Sequence, residues 1–423
     1  MDPIRNPYAP GAGQRPPELA GRDEQISTFD VVVARIAKGR PERSIVLIGL
    51  RGVGKTVLLN TLRSGAVRAH WGTGKFEARP DQRLRRPLAS ALHTAVRELG
   101  HPQDDDVDHV LGVIKSFAQR DVDPKAKLRD RWNPGIDAPA VPGRADSGDI
   151  EIDLVELLTD VGGLAADVGK GVAIFIDEMQ DLDPEDVSAL CAACHEMSQS
   201  SLPVIVVGAG LPHLPAVLSA QKSYSERLFR YARIDRLPRD AAFKALQGPA
   251  QDEDAEFTDD ALEAMYAATG GYPYFIQAYG ATVWDLAPGS PITAEDVAVA
   301  VPEAEAELGV GFFGSRYERA TPGEREYLRA MADAAQRVAD AAAADESGET
   351  PGLDDIESVP TSLVAEVLGR ELRRGSWTRQ PVMLGTNTDP YQPAEARFGI
   401  MRGCLQVLHD WNHPVSIVTR GSR

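Results

Sequence analysis

The sequence is poor in cysteine, in long apolar runs and in positive charge. Its 423 residues include three cysteines, too few for a scaffold stabilised by disulfides, and an odd number of thiols suits a reducing compartment. There is no stretch of about 18 apolar residues that could span a membrane, and residues 1–18 lack the apolar core of a signal peptide. The sequence therefore predicts a cytoplasmic protein with no membrane partner.

The charge balance is strongly acidic. Lys and Arg together number 45 against 63 Asp and Glu, which gives a formal net charge of −18 and a pI of about 4.9. Such a surface repels the phosphates of DNA, so nucleic acid is not the expected partner, although a local basic patch would still permit one. The length allows roughly two or three domains, and a hydrophobic content of 43% is sufficient for a sizeable core.

Residues 44–56, SIVLIGLRGVGKT, combine a short apolar run with a glycine-rich loop and the start of a helix. In this strand–loop–helix setting, a Gly-x-x-x-x-Gly-Lys-Thr string is the pattern of a P-loop. Its glycines allow backbone N–H groups to wrap a phosphate, Lys55 supplies charge for the β- and γ-phosphates, and Thr56 ligates Mg²⁺. A glycine-rich turn without a ligand is the alternative. The residues predicted to bind the nucleotide are Gly49, Gly52, Val53, Gly54, Lys55 and Thr56.

A second apolar run, residues 172–176, ends in two acids, Asp177 and Glu178. A carboxylate at the carboxyl end of a parallel strand lies in the crevice where open α/β sheets bind ligands. We expect Asp177 to complete the Mg²⁺ site with Thr56, and Glu178 to act as the base that polarises the attacking water. Solvated acids at a strand end are the alternative, but the upstream P-loop favours the catalytic interpretation.

Cys191 and Cys194 have the CxxC spacing of zinc and redox sites. No second pair is present to complete a zinc site. A redox pair needs its first cysteine at a helix N-terminus, whereas both cysteines fall inside a predicted helix. We therefore expect both thiols to be packed in the core.

Several further motifs point to one family. They are GRDEQ at 21–25, FIDEMQDL at 175–182, VVGAG at 206–210, SERLFR at 225–230 and TGGYPYFIQ at 269–277. With the P-loop, they resemble the bacterial AAA-superfamily ATPases related to origin-recognition-complex ATPases, a group that borders the signal-transduction STAND NTPases. The resemblance covers roughly residues 18–335. It implies an α/β fold: a P-loop NTPase core with a parallel sheet and helices on both faces, followed by a helical lid.

The resemblance also implies roles for residues outside the P-loop. Gly21 and Arg22 would lie near the adenine of ATP. Arg227 or Arg230 would act as an arginine finger towards the γ-phosphate of a neighbouring subunit, in a homo-oligomer. Ordinary ion pairing of these two arginines on a helix is the alternative. The catalytic residues that follow from the motifs and the resemblance are Lys55, Glu178, Arg227 and Arg230.

The sequence departs from the family pattern at two places where phosphate sensors are usual. The strand ending at Val207 continues as Gly208, Ala209 and Gly210, with no polar side chain for the first sensor. The lid motif at 269–277 offers no arginine for the second sensor. These departures imply slow hydrolysis, or hydrolysis completed by a partner.

Residues 363–423 resemble a different family, the radical SAM enzymes related to spore photoproduct lyase, with DPYQP as the most specific string. The expected pattern is a small C-terminal α/β appendage with a strand at 382–384, a helix at 395–410 and a strand at 415–418. Radical SAM enzymes hold an iron–sulfur cluster on a CxxxCxxC motif. That motif is absent, so no iron–sulfur cluster is expected. The pattern indicates a truncated gene fusion, and a divergent winged helix is the alternative.

The predicted function is ATP binding with Mg²⁺-dependent hydrolysis that drives a conformational switch, acting on a protein client or a neighbouring subunit. A nucleotide-gated interaction or signalling protein with little hydrolysis, and a DNA-associated loader ATPase, are the alternatives. Residues 101–150 are expected to be an irregular acidic insertion with one helix near 110–117. The predicted domains are a flexible N-terminal leader (1–18), a P-loop ATPase core (19–237), a helical lid (238–310), a remnant helix with a linker (311–360) and a radical-SAM-like barrel fragment without cluster cysteines (361–423).

Overall fold

A parallel sheet organises the first of two compact units, Met1–Gly309 and Val310–Arg423. The computed structural model describes residues 1–314 apart from 12, 100–103 and 121–134, then short stretches within 317–329, and residues 382–384, 400–410 and 415–417. The strands of the main sheet are β1 (Ser44–Ile48), β2 (Gly72–Glu77), β3 (Val172–Asp177), β4 (Val204–Gly210) and β5 (Phe229–Arg233). They lie in the order β2-β3-β4-β1-β5, and every pairing is parallel.

Helices cover both faces of this sheet, as the sequence predicted. Successive residues of a strand point to opposite faces, so Phe175 packs with Phe29 and Leu58 on one face, while Ile174 packs with Leu157 on the other. The central strands β1, β3 and β4 are apolar runs because both of their faces are buried. The helices of this core are α1 (Asp23–Ile36), α2 (Lys55–Arg68), α3 (Arg85–Glu98), α4 (Asp104–Gln119), α5 (Ile150–Asp167), α6 (Pro184–Gln199), α7 (Leu214–Gln221) and α8 (Ser225–Leu228).

In the described part of the connection between β2 and β3, the expected helix is longer than the sequence suggested. The helix expected near 110–117 extends over Asp104–Gln119, and α5 follows at Ile150. The irregular segment before α5 is held by a buried carboxylate. Asp153 accepts hydrogen bonds from the backbone and side chain of Ser147, and Arg85 on α3 donates to it across 2.7 Å. This ion pair is almost fully buried.

Removing the Asp153 carboxylate is expected to destabilise the fold strongly. Asp153→Ala leaves the Arg85 charge buried beside a cavity, and breaking such a pair costs about 3–5 kcal/mol in the free energy of unfolding. The matched control is Arg83→Ala, because the Arg83 side chain is 56% exposed in its pairs with Asp183 and Glu185 and its loss should cost less than about 1 kcal/mol. Urea unfolding of both variants measures the difference.

The same ion pair predicts how stability depends on pH. Burial alone would raise the pKa of Asp153, but hydrogen bonds from Ser147 and the charge of Arg85 outweigh burial and hold that pKa below its ordinary value. A depressed carboxylate pKa contributes stability above the unfolded value of about 4. That contribution is lost as the pH falls through the folded-state pKa. Equal losses in Asp153→Ala and Arg83→Ala, or no acid-sensitive difference between wild type and Asp153→Ala, would contradict this account.

Four helices after β5 form the lid. They are α9 (Arg239–Asp252), α10 (Asp259–Thr269), α11 (Pro273–Leu286) and α12 (Ala294–Leu308). The N-terminal leader contacts this lid: residues 3–5 form a turn of 3₁₀ helix, and Tyr8 is buried. Flexibility of the leader stays a prediction. None of the helices in the described ranges is both long enough and apolar enough to cross a bilayer.

The second compact unit contains the small α/β arrangement that the sequence predicted. Its described elements are β6 (Val382–Leu384), α13 (Ile400–Asp410) and β7 (Val415–Ile417). The two strands pair in parallel, with Val382 opposite Val415. A parallel pair needs a crossover rather than a hairpin, so this pair is not the antiparallel wing of a winged helix. The expected start of the helix at 395–399 and most of the 311–360 segment lie outside the described residues.

Candidate nucleotide-binding site

The P-loop lies where β1 ends and α2 begins, as its sequence setting predicted. Gly52 and Gly54 have φ values of 86° and 88°, in the left-handed region that glycine adopts at little cost. Gly54 caps the N-terminus of α2, and Lys55 is the first helical residue. The start of a helix offers free N–H groups and the positive end of the helix dipole, so it is suited to a phosphate.

Lys55 is held at the centre of this loop. Its side chain is buried, and its Nζ donates hydrogen bonds to the carbonyl oxygens of Gly49 at 2.9 Å and Leu50 at 2.8 Å. Burial lowers the pKa of Lys55, while the neighbouring charges of Glu178 and Asp177 act to raise it. The structure therefore brings the P-loop lysine and the two acids at the end of β3 into one electrostatic environment.

The two acids adopt different conformations. Asp177 is the last residue of β3 and is buried, whereas Glu178 has a φ of 50° in the left-handed region, a conformation that costs about 1 kcal/mol for a residue with a Cβ. The Glu178 N–H donates to Asp177 Oδ1 at 3.0 Å. An aspartate carboxylate and the Thr56 hydroxyl are oxygen donors of the kind that Mg²⁺ prefers. The donor set fits the predicted metal, with phosphate and water oxygens completing the shell.

Gln180 is a site residue that the sequence analysis missed. Its Nε2 donates to Glu178 Oε2 at 2.6 Å, and its Oε1 accepts from the N–H of Leu211, directly after β4, at 3.1 Å. It thus joins the proposed base to the strand end where a sensor side chain was absent. A Cβ at Gly210 would lie 2.9 Å from this Oε1, and a Cβ at Gly208 would lie 1.8 Å from the sulfur of Met179. The glycines leave room for residues that follow Glu178.

The lid contacts the P-loop through its own aromatic motif. The Tyr272 hydroxyl donates to the carbonyl of Arg51, and the Tyr274 N–H donates to the carbonyl of Gly52 at 3.2 Å. A Cβ at Gly52 would come within 2.9 Å of the Tyr272 ring. Glycine at this position therefore serves the lid contact as well as the turn. The lid meets the phosphate loop with backbone and hydroxyl groups in place of an arginine.

Tyr272→Phe is expected to weaken nucleotide binding moderately. The change removes one hydrogen bond to the loop, worth about 1 kcal/mol or a factor of about five in affinity. A titration with a fluorescent ATP analogue measures it. The control is Tyr266→Phe, a second tyrosine of the lid whose ring packs on Phe243. An unchanged affinity in Tyr272→Phe would show that this contact does not fix the loop.

Arg22 and Gly21 lie between the P-loop and the lid. Arg22 is buried, which lowers its pKa, and its Nη2 donates to the carbonyls of Val53 at 3.1 Å and Asp235 at 2.7 Å. Gly21 has a φ of 67°, and a Cβ there would lie 3.0 Å from the Ala241 side chain on α9. The guanidinium thus joins the P-loop to the segment that leads into the lid. Proximity of Gly21 and Arg22 to adenine stays a prediction.

The structure separates the two candidate finger arginines from the P-loop of their own chain. Arg230 is the second residue of β5 and lies opposite Ile45 near the amino ends of the strands. Arg227 lies on α8 and lines a small cavity with Arg40 and Arg43. Arg227 thus lies on a helix and Arg230 on a strand, and ordinary ion pairing of these arginines stays the alternative. A role as arginine finger towards another subunit stays a prediction.

The CxxC pair is packed in the core, as expected. Cys191 and Cys194 are free, buried thiols within α6. Burial raises the pKa of each to about 12, so both are neutral at physiological pH and unsuited to thiolate chemistry.

Comparison with known families finds matches for two segments of the chain. Residues 18–207 match the family described as AAA ATPase domain, which agrees with the resemblance drawn from the P-loop and the acidic strand end. This similarity to AAA ATPase domains supports nucleotide and Mg²⁺ use. Residues 310–384 match a family described as a domain of unknown function (DUF8462). The resemblance of residues 363–423 to radical SAM enzymes finds no support in these matches and stays a prediction.

Solved structures with similar folds share little sequence with this chain. The Walker-type ATPase PABY2304 of Pyrococcus abyssi is 14% identical, with 75% of this chain and 79% of that chain covered and a TM-score of 0.46. The ORC1 protein of Aeropyrum pernix, solved in complex with DNA, is 14% identical, with 94% and 85% covered and a TM-score of 0.41. RuvB of Thermotoga maritima is 15% identical, with 68% and 70% covered and a TM-score of 0.39.

Curated relatives match a short segment. The uncharacterized proteins Rv2578c of Mycobacterium tuberculosis and Mb2609c of Mycobacterium bovis are each 51% identical over 73 residues. The match covers 17% of this chain and 22% of each relative, so the chain spans about a fifth of the length of the curated relatives it matches.

Proposed function

We propose that the protein binds ATP with Mg²⁺ and hydrolyses it slowly. The observation that carries this proposal is the placement of Lys55, which is buried at the P-loop and shares its electrostatic environment with Asp177 and Glu178. A buried lysine next to two acids at the ligand edge of a parallel sheet is costly for stability, and such perturbed groups cluster at functional sites.

Each residue has a defined task in this proposal. The P-loop backbone and Lys55 bind the phosphates, and Thr56 with Asp177 holds the metal. Bound Mg²⁺ would neutralise charge on the phosphate oxygens. Glu178 orients the attacking water and accepts its proton, while Gln180 fixes the Glu178 carboxylate by donating to its Oε2. Arg227 or Arg230 would act on the nucleotide of a neighbouring copy.

The nucleotide state would be transmitted to the lid. Tyr272 and Tyr274 already contact the carbonyls of Arg51 and Gly52, so a rearrangement of the loop around a γ-phosphate changes the groups that the lid binds. A two-state element biased by a ligand is the basis of a conformational switch. The client of this switch would be another protein or a second copy of the chain.

A second candidate is a nucleotide-gated interaction protein with little hydrolysis. It is favoured by the end of β4, where Gly208 and Gly210 provide no side chain to sense the γ-phosphate, and where Gln180 contacts Glu178 instead. A glutamate engaged by a neighbouring amide is less available to orient water. Single-turnover hydrolysis near the background rate, with tight ATP binding, would favour this candidate.

For residues 363–423 we propose a likeness to the radical SAM fold without cluster cysteines. The β6–α13–β7 arrangement is compatible with it. Iron and sulfide analysis of anaerobically purified protein tests its consequence, and stoichiometric iron with sulfide would overturn it.

The main experiment measures ATP turnover by purified protein while nucleotide binding is titrated in parallel, with and without Mg²⁺. We expect binding in both conditions, tighter with Mg²⁺, and turnover only with the metal. Binding without turnover would select the second candidate. Failure to bind ATP at concentrations of about 1 mM, the upper end of the usual range for enzyme substrates, would overturn both.

A further inference from the structure

Residues 1–11 and 13–21, which we call the N-terminal strap, are anchored on the lid at their beginning. The amino group of Met1 donates to the carbonyls of Ala287 and Trp284 at the end of α11. Asn6 Nδ2 donates to the carbonyl of Ala281 at 3.0 Å and to the Asp285 carboxylate at 2.8 Å. These contacts join the strap to one helix of the lid along several turns.

Tyr8 is the main apolar anchor of the strap. Its side chain is 5% exposed, and its hydroxyl donates to the carbonyl of Leu246 on α9 at 2.6 Å. Its ring meets Trp284 edge-on, with 6.5 Å between centroids, and a Cβ at Gly280 would lie 2.8 Å from it. The lid therefore provides a fitted site for this tyrosine, between α9 and α11.

The middle of the strap leaves the lid and reaches the nucleotide site. Gly13 has a φ of 70°, and a Cβ there would lie 3.2 Å from Cγ2 of Thr56. Gly13 and Arg15 also line a groove with Val57 and Asn60 on the first turns of α2. The strap meets the methyl group of Thr56.

The end of the strap returns to the lid. Glu18 pairs with Lys244 on α9 at 2.9 Å, and Gly21 packs against Ala241 on the same helix. Arg22 then joins the P-loop at Val53. The strap thus forms a closed loop that is held on the lid at both ends and touches the metal-binding threonine between them.

We propose that the N-terminal strap is a wall of the nucleotide site that moves with the lid, so that nucleotide is released when the lid carries the strap away from Thr56. This inference rests on the proposed function, because Thr56 is taken as the metal ligand. Both ends of the strap are bound to the lid helices α9 and α11. Displacement of the lid must therefore either separate Gly13 from α2 or break the contacts between the strap and the lid. The strap thereby couples lid position to access to the phosphate end of the site.

Hydrogen exchange on the full chain tests the mechanical part of this proposal without nucleotide. Tyr8→Ala is expected to raise exchange in residues 1–9 and also in residues 13–18, because the loop is held from both ends. The control is Ile4→Ala, since Ile4 is 94% exposed and should change neither segment. Faster exchange confined to residues 1–9 would overturn the coupling. Unchanged exchange in α10 verifies that the lid of the variant is folded.

Release of a fluorescently labelled ADP, followed by stopped flow, tests the functional part. We expect Tyr8→Ala to release nucleotide at least about fivefold faster than wild type, since loss of a contact acts mainly on dissociation. Asn6→Ala, a milder change at the same anchor, should give a smaller increase. An unchanged release rate in both variants would overturn the proposal that the strap is a wall of the nucleotide site. Failure of wild type to bind nucleotide would instead refute the proposed function, while the exchange experiment still decides whether strap and lid move together.

Discussion

Lys55→Ala is expected to reduce ATP affinity by at least about 100-fold. The lysine ammonium is the main positive charge inside the P-loop, and hydrogen bonds to charged groups contribute about 1.5–3 kcal/mol each. Without it, Mg²⁺ alone would offset the repulsion between the phosphates and the carboxylates of Asp177 and Glu178, which opposes binding further. Calorimetric titration with ATP and Mg²⁺ measures the loss.

A second substitution separates lost charge from lost volume. Lys55→Met keeps the length of the buried side chain but removes its charge, so it should lose binding as completely as Lys55→Ala. The melting temperatures of both variants should lie within a few degrees of wild type or above it. Burial lowers the pKa of Lys55 and makes its charge costly in the folded state, so removing the charge does not destabilise the fold. The matched surface control is Lys38→Ala, at an exposed position after α1. Normal ATP binding by Lys55→Met would rule out a role for the charge.

The parts of the site that the sequence predicted are those encoded locally. The P-loop string fixes its own glycine conformations and the start of α2, so residues 49–56 needed no knowledge of the rest of the chain. The buried run ending at Asp177 was likewise visible as a strand that stops at two acids. A parallel sheet then brings both segments to one edge, because strand ends and helix starts alternate along the chain.

Gln180 could not be assigned from the sequence because its role depends on two strands meeting. It touches Glu178, two residues away, and also the N–H of Leu211, which is 31 residues distant. The missing sensor side chains at Gly208 and Gly210 appeared as a deficiency in the sequence. In the structure, the absence of a Cβ at Gly208 and Gly210 leaves the space that Met179 and Gln180 occupy. Knowledge that β3 and β4 are neighbours was needed to connect these observations.

The contacts of the leader could not be assigned from the sequence for a different physical reason. Its proline and glycine content predicts an absence of regular structure, which does not exclude a fixed path. Tyr8 binds Leu246 across 238 residues of sequence, and such a long-range partner leaves no local pattern. The strand β5 also leaves no local pattern. Its residues FRYAR are too polar to predict a strand, and most of them are only partly buried at the edge of the sheet.

Glu178→Gln is expected to lower ATP turnover by at least about 100-fold, within the range that a general base contributes, while ATP binding persists. The substitution keeps the size of the side chain but removes its capacity to accept a proton from water. It also changes the partner of Gln180, whose amide donates to a carboxylate oxygen in wild type. Binding should tighten slightly, because one negative charge near the phosphates is removed.

Steady-state phosphate release and nucleotide titration, measured on the same preparations, separate the two effects. Gln180→Ala should give an intermediate loss of turnover if the amide holds Glu178 in place, since the base remains but its position is freed. Glu185→Gln, at an acid on α6 with a side chain 71% exposed, is the control that alters charge without touching the site.

The pattern across these variants decides between a working ATPase and a switch that scarcely hydrolyses. If Glu178→Gln abolishes turnover and Gln180→Ala reduces it, the left-handed backbone at Glu178 and its bond to Gln180 position a catalytic base. If Gln180→Ala instead accelerates turnover, the Gln180 amide restrains the base. The contact between Gln180 and the end of β4 then slows hydrolysis, at the position where related enzymes have a sensor side chain. Turnover that is unchanged in Glu178→Gln would mean that Glu178 is not the base, and Asp177, which is buried beside it, would then be the remaining carboxylate at the end of β3.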